Sequence, residues 1–170
     1  FIFKLKSAST AMKGSVMKSQ TLSVKAIKNG TVIDHIPAGE GLNILHYFAL
    51  NELPNYVTVG FNLLSQTHQR KDLIKIEKIF FSEQEMQQIA LFAPQATINI
   101  IKNFQVVEKI IPRYPDKVLG IFTCPNHNCA SHREPVKSQF NVHHQSVGKP
   151  KLKCYYCEKI FPFDGFISQD

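Results

Sequence analysis

Tryptophan is missing from this chain, and no cysteine occurs before position 124. No apolar run approaches the ~20 residues that a membrane-spanning helix needs, so a membrane role is not expected. The opening FIFKLK is a short apolar stretch broken by lysines. No small-residue cleavage site follows it, which argues against a secretory signal. The chain also lacks a phosphate-cradling glycine-rich loop, a nucleophile elbow and a metalloprotease helix motif. Its acidic residues are scattered. Nothing therefore points to a catalytic centre, and there is no internal repeat.

What is present narrows the reading. The 170 residues suit one domain or two small ones. Twenty Lys and Arg against thirteen Asp and Glu give a net charge of +7. Such an excess implies an anionic partner: nucleic acid, a nucleotide or an acidic protein surface, unless the lysines only solvate the surface. Without a secretory signal a reducing, cytoplasmic setting is expected, and clustered cysteines there usually hold metal. Residues 1–20 read as a polar tail outside the fold, either disordered or left over from cloning.

The remainder shows organised periodicity. LSVKAIK (22–28) alternates and predicts a strand, with Asn29-Gly30 as a turn and TVIDHIPAGEG as a loop. Leu42, Leu45, Phe48 and Ala49 recur at helical spacing, and the helix is expected to stop near Pro54. From Tyr56 to Leu63, the residues Val57, Val59, Phe61 and Leu63 fall on one face of a strand. RKDLIKIEKIFF follows, with Ile74, Ile76 and Phe80 on one face and Lys75 and Glu77 on the other. Ser82 and Glu85 form a capping-box signature ahead of a stripe of Met86, Ile89, Ala90 and Ala93. TINII and FQVVEKII complete the series as strands around a Lys102-Asn103 turn. The order predicts an α+β, ferredoxin-like domain (β-α-β-β-α-β plus one strand) over residues 21–113, with both helices on one face. PRYPDK reads as a linker to a small antiparallel-β domain over 114–170. A unit that small generally needs a staple.

The staple is legible. Cys124 and Cys129 are spaced C-x4-C, Cys154 and Cys157 C-x2-C, with 24 residues between the pairs. Two such knuckles give the four-coordinate thiolate set of closed, structural zinc sites, with no position left for water or substrate. Two disulfides or free thiols are the alternatives. His127 and His132 could replace a cysteine, but four cysteines already suffice. His132-Arg133-Glu134 with Cys154-Tyr-Tyr-Cys157 faintly resembles zinc nucleobase deaminases. Lys153 stands where those have proline, and Cys124 and Cys129 would then have no role.

The segments KAIKNGTVIDHIPAG, RKDLIKIE, LFAPQATINII, TCPNHNCASHREPV and LKCYYCEK together resemble the regulatory chain of bacterial aspartate carbamoyltransferase, in the same order from about Leu22 to the C-terminus. The resemblance implies a non-catalytic subunit in pyrimidine biosynthesis. Its N-terminal domain would bind the nucleotide effectors ATP and CTP. Its zinc domain, with one structural Zn2+ per chain, would dock on the catalytic chain. Homodimers of regulatory chains would join larger assemblies. Residues matching the family's effector site are Ala26, Ile27, Val32, Asp34, His35, Lys75, Asn99, Ile101, Val106 and Lys109, with Lys71 nearby. Lys75 and Lys109 would meet phosphates, Asp34 the ribose, and the backbone of Ala26 and Ile27 the base. Asn126, Asn128, Glu158 and Lys159 match contacts to the catalytic chain. Two departures bear on which effector is preferred: Lys25 stands where members carry a carboxylate, and Phe104 where they carry tyrosine. A competing reading is a zinc-ribbon nucleic-acid binder that stacks bases on Tyr155, Tyr156, Phe161 and Phe163. The family resemblance favours nucleotides and no nucleic acid.

Overall fold

Alternating apolar residues in the first two-thirds of the chain build one antiparallel sheet. The computed structural model describes residues 25–65 and 70–167. The tail read over 1–20 lies outside them. In chain order come β1 (Gly30–Pro37), α1 (Glu40–Tyr47), a 3-10 turn (Leu50–Glu52), β2 (Val57–Leu64), β3 (Arg70–Glu77), α2 (Glu83–Phe92), β4 (Thr97–Lys102) and β5 (Gln105–Ile110). The five-stranded sheet runs β2-β3-β1-β4-β5, and every neighbouring pair is antiparallel. This is the ferredoxin-like arrangement, with β5 added beside β4. Ile33, Ile74, Ile76 and Ile98 lie on one face and are fully buried with Ile44 of α1 and Ile89 of α2. The α2 cap forms as the sequence predicts: Ser82 Oγ accepts from Glu85 N–H and the Glu85 carboxylate accepts from Ser82 N–H.

Four local expectations need correction. The first strand is Gly30–Pro37, in the stretch expected to be a loop. The described part of the expected 22–28 strand, residues 25–28, is instead an irregular strap. The β4–β5 hairpin tip holds it by hydrogen bonds from Phe104 N–H to Lys28 O (2.9 Å) and Asn103 N–H to Asn29 Oδ1 (3.0 Å). Gly30 lets strap and strand meet, since a Cβ there would lie 2.1 Å from Ile76 O. Second, the hairpin turns on Asn103-Phe104, both at positive φ, one residue beyond the expected position. Third, α1 ends at Tyr47, not near Pro54, because Ala49 enters the left-handed region and tightens the chain into the 3-10 turn. Fourth, Leu63 does not share the face of Val57 and Val59. The register slips between Gly60 and Leu63 and pairs Leu63 with Lys71, on the face opposite Ile74 and Ile76, while Phe61 stays on the α1 side beside Leu42 and is exposed. Phe80 likewise falls beyond the end of β3 and is exposed.

One buried carboxylate organises this irregular corner. Asp72 Oδ1 accepts from Asn62 N–H in the β2 bulge (2.8 Å), and its Oδ2 accepts from Gly39 (2.8 Å) and Gly41 (3.1 Å) at the start of α1. Position 39 has no side chain to cap the helix, so Asp72 caps it from β3. Gly41 is required because a Cβ would approach the Asp72 carboxylate to 2.9 Å.

The C-terminal segment forms a second, four-stranded antiparallel sheet in sequential order. Its strands are β6 (Lys117–Leu119), β7 (Gln139–His143), β8 (Lys151–Cys154) and β9 (Ile160–Pro162), followed by the short helix α3 (Asp164–Ile167). The two sheets do not have separate cores. Phe122 packs 5.1 Å from Tyr47 and 5.9 Å from Phe92, and Phe163 lies 5.4 Å from Phe92. Tyr47 Oη donates to Phe166 O at 2.6 Å. One continuous apolar cluster runs from Ile33 through these rings to Phe140 and Leu152.

Candidate functional site

Two sites emerge, one in each half. In the C-terminal half, Cys124 and Cys129 flank the turn Pro125–Asn128, and Cys154 and Cys157 flank Tyr155-Tyr156. Each turn is closed by backbone: Cys129 N–H donates to Asn126 O (2.8 Å), and Glu158 N–H donates to Cys154 O (3.0 Å) with Glu158 at φ 59°. The four sulfurs lie within 4.8 Å of one another. Cys124 and Cys157 are 3.8 Å apart, and Cys129 and Cys154 are 3.7 Å apart. A disulfide would need about 2.05 Å. A tetrahedral ion with metal–sulfur bonds of ~2.3 Å needs sulfurs about 3.8 Å apart. The donor set therefore fits a structural metal, and all four positions are filled by sulfur.

Burial pushes the Cys124 and Cys154 thiols up. Against the same burial, Cys129 is drawn down by Ser131 and its sulfur neighbours. Burial also works against the Cys157 thiolate, but the Lys159 backbone and the Asn126 side chain draw its pKa down to about 7. Thiols packed this closely share protons, and a divalent cation would displace them. His132 is not a ligand: its Nε2 lies 2.7 Å from Cys124 O. Asn128, Glu158 and Lys159 are exposed on the turns, while Asn126 is half-buried and supports the cage.

The second site lies on the sheet face away from the helices, not at the sheet edge. Register places Thr58, Lys75, Val32, Asn99 and Lys109 in one row across all five strands. Directly paired residues project to the same face, so Lys75 and Lys109 flank Val32 and Asn99. A cavity of about 270 Å3 sits there, lined by Ala26, Ile27, Val32, Leu73, Lys75, Asn99, Ile101, Phe104 and Val106. Seven of the expected residues line it directly. Leu73 is the addition, and its position two before Lys75 on β3 would have identified it. Lys75 Nζ donates to Lys25 O at 2.9 Å and so ties down the strap. Burial lowers the Lys75 ammonium below the ordinary lysine range, and the nearby Asp34 carboxylate partly restores it.

Asp34, His35 and Lys109 stand outside the cavity lining. Asp34 is engaged by Lys71 Nζ at 2.7 Å. His35 occupies a bulge between Ile33 and Ile36 at φ 58°, its ring 3.6 Å from the Asp34 carboxylate. Lys109 is exposed on β5 opposite Asn99. Of the aromatics expected to stack nucleic-acid bases, Phe163 is buried, Phe161 packs on Phe166, and Tyr156 Oη donates to Lys137 O. Only Tyr155 of that set is exposed. Among the described residues, no helix is long and apolar enough to cross a membrane.

Comparison with known proteins bears on both halves. Residues 22–112 match the family described as aspartate carbamoyltransferase regulatory chain, allosteric domain. Residues 116–167 match the same chain's metal binding domain. An aspartate carbamoyltransferase regulatory chain from Chromobacterium violaceum is 54% identical over 144 residues, covering 85% of this chain and 94% of the relative. One from Neisseria gonorrhoeae is 52% identical over 148 residues, covering 87% and 97%. One from Tolumonas auensis is 51% identical over 144 residues, covering 85% and 93%. A four-sulfur cage in the half that matches the metal-binding domain, and a built cavity in the half that matches the allosteric domain, agree with those matches: the chain belongs to the family of aspartate carbamoyltransferase regulatory chains, the non-catalytic subunits of that enzyme.

Proposed function

We propose that this chain binds nucleoside triphosphates such as ATP and CTP on the open sheet face and passes that binding state to catalytic chains of aspartate carbamoyltransferase. The observation that carries the reading is the row Lys75–Val32–Asn99–Lys109. It sets two cations on either side of an apolar and an amide-bearing floor. The cavity is smaller than the ~300–1,000 Å3 of ordinary ligand clefts. It suits the base and sugar, with the phosphates extending to the lysines. The strap supplies backbone donors and acceptors at Ala26 and Ile27 for a base edge, and Asp34 supplies an acceptor for ribose hydroxyls.

In this reading the cage holds Zn2+, the usual ion of a closed four-thiolate site. The cage then fixes two turns that present Asn128, Glu158 and Lys159 to the catalytic chain. Loss of the ion would dissolve that surface. Residues 21–113 are the effector-binding unit and 114–170 the docking unit. Leu42, Phe61 and Leu64 form exposed apolar surface at or beside the edge strand β2, which supports pairing of two regulatory chains. The pathway served is pyrimidine biosynthesis, and the setting is cytoplasmic.

The test is reconstitution with catalytic trimers. CTP and ATP should shift the aspartate saturation curve of the complex. With Lys75→Ala the complex should assemble and turn over, but need far more nucleotide for the same shift. A variant complex that keeps the wild-type nucleotide response would refute this placement of the effector. An effector acts only through unequal affinity for two states of the assembly.

A further inference from the structure

Lys149, in the loop between β7 and β8, reaches out of the metal-binding half. Its Nζ lies 2.9 Å from Glu40 Oε1, in the first turn of α1, and 3.0 Å from Asp164 Oδ1 in α3. The ammonium also sits 5.4 Å over the Phe163 ring, a member of the aromatic seam between the halves. Glu40 is held from its other oxygen by Asn43 Nδ2 at 2.9 Å. The bridge is well sheltered on one side: the Glu40 side chain is only 19% exposed.

Glu40 stands between Gly39 and Gly41, the two residues whose N–H groups Asp72 captures. Asp72 lies on β3 between Lys71 and Leu73. Leu73 and Lys75 line the open-face cavity, and Lys71 is paired with Asp34 at 2.7 Å. A short polar chain thus runs from the open face through β3, Asp72, the start of α1, Glu40 and Lys149 to the metal-binding half. Contiguous groups of this kind can carry coupling between distant sites when they bias a common equilibrium.

We propose that Lys149 is an ionic latch that ties the metal-binding half to the start of α1, and that through Asp72 the latch responds to occupancy of the open sheet face. The inference rests on the reading that nucleotide binds that face. It assigns Lys149 and Glu40 as positioning residues that touch neither nucleotide nor metal. Lys149 keeps its charge securely: burial works against it, but Glu40 and Asp164 raise its pKa overall.

The experiment uses the full zinc-loaded chain and measures the rate of zinc release to a chelator, with and without saturating CTP. Coupling between sites is commonly worth a factor of about 5 or more, so CTP should change the wild-type rate by roughly that much. Lys149→Arg keeps the charge and should keep the response. Lys149→Met keeps an apolar stem over Phe163, and Glu40→Gln keeps the shape of the carboxylate. In both, the response should fall below about twofold while calorimetry still shows CTP binding. A wild-type response in Lys149→Met would overturn the latch, as would an unresponsive wild-type chain that calorimetry shows to bind CTP. Absence of CTP binding by calorimetry would instead remove the functional reading, and the latch with it.

Discussion

Replacing Asp72 with asparagine tests the junction of β3, α1 and the β2 bulge. The side chain keeps its size, but an NH2 replaces one oxygen. Asp72 accepts three backbone N–H groups, two on Oδ2 and one on Oδ1. Whichever way the amide turns, at least one of those donors faces another donor. A hydrogen bond to a charged group contributes roughly 1.5–3 kcal/mol, and leaving its buried partner unsatisfied costs about 1–3 kcal/mol. Asp72 is 1% exposed, so water cannot easily substitute. A loss of about 3–5 kcal/mol follows if one donor is orphaned and the others weaken. For a chain of this size each kcal/mol lowers the melting temperature by about 2–4 °C, so a drop of roughly 6–20 °C is expected. Thermal unfolding followed by circular dichroism gives the number. A change below about 2 °C would show that Asp72 does not hold this corner together.

The shared core gives a second expectation. Phe122→Ala opens a cavity beneath Tyr47, Phe92 and Phe163 and should cost about 3–5 kcal/mol, with denaturant titration as the check and zinc content unchanged. Cys154→Ser should release the metal and lower the melting of the whole chain in one transition, because the halves share Phe92 and Phe122. An unchanged N-terminal transition in calorimetry would contradict a common core. The depressed pKa of Lys75 makes nucleotide affinity pH-dependent. Affinity should decline as pH rises through the lowered value, since phosphate favours the protonated amine. Lys75→Arg should postpone the decline.

The parts of the fold written in local pattern were legible. Ser82 and Glu85 announce α2, and the alternation of Ile74 and Ile76 against Lys75 announces β3 and its charged open face. The cysteine spacing announces the cage, because two short knuckles can close on one ion whatever surrounds them. The first strand was hidden because Asp34 and His35 form a bulge that breaks its alternation, and because Pro37 and Gly39 look like loop residues. The β2 slip depends on Asp72, ten residues downstream of Asn62, and no window along the chain contains that contact's geometry. The seam of Tyr47, Phe92, Phe122 and Phe163 is a product of how the two sheets meet. Each phenylalanine alone reads as ordinary core. The cavity lining was largely available through family resemblance. The pairing of Asp34 with Lys71 was not, since it needs the register of β1 on β3.

Isothermal calorimetry of CTP and ATP on the isolated chain, with and without Lys75→Ala, tests the central claim most directly. Each charge-assisted hydrogen bond to phosphate contributes roughly 1.5–3 kcal/mol. Wild-type chain should bind one nucleotide per chain, and Lys75→Ala should bind roughly 10- to 150-fold more weakly, with zinc content unchanged. Equal affinities in the two proteins would contradict an effector site on the open sheet face.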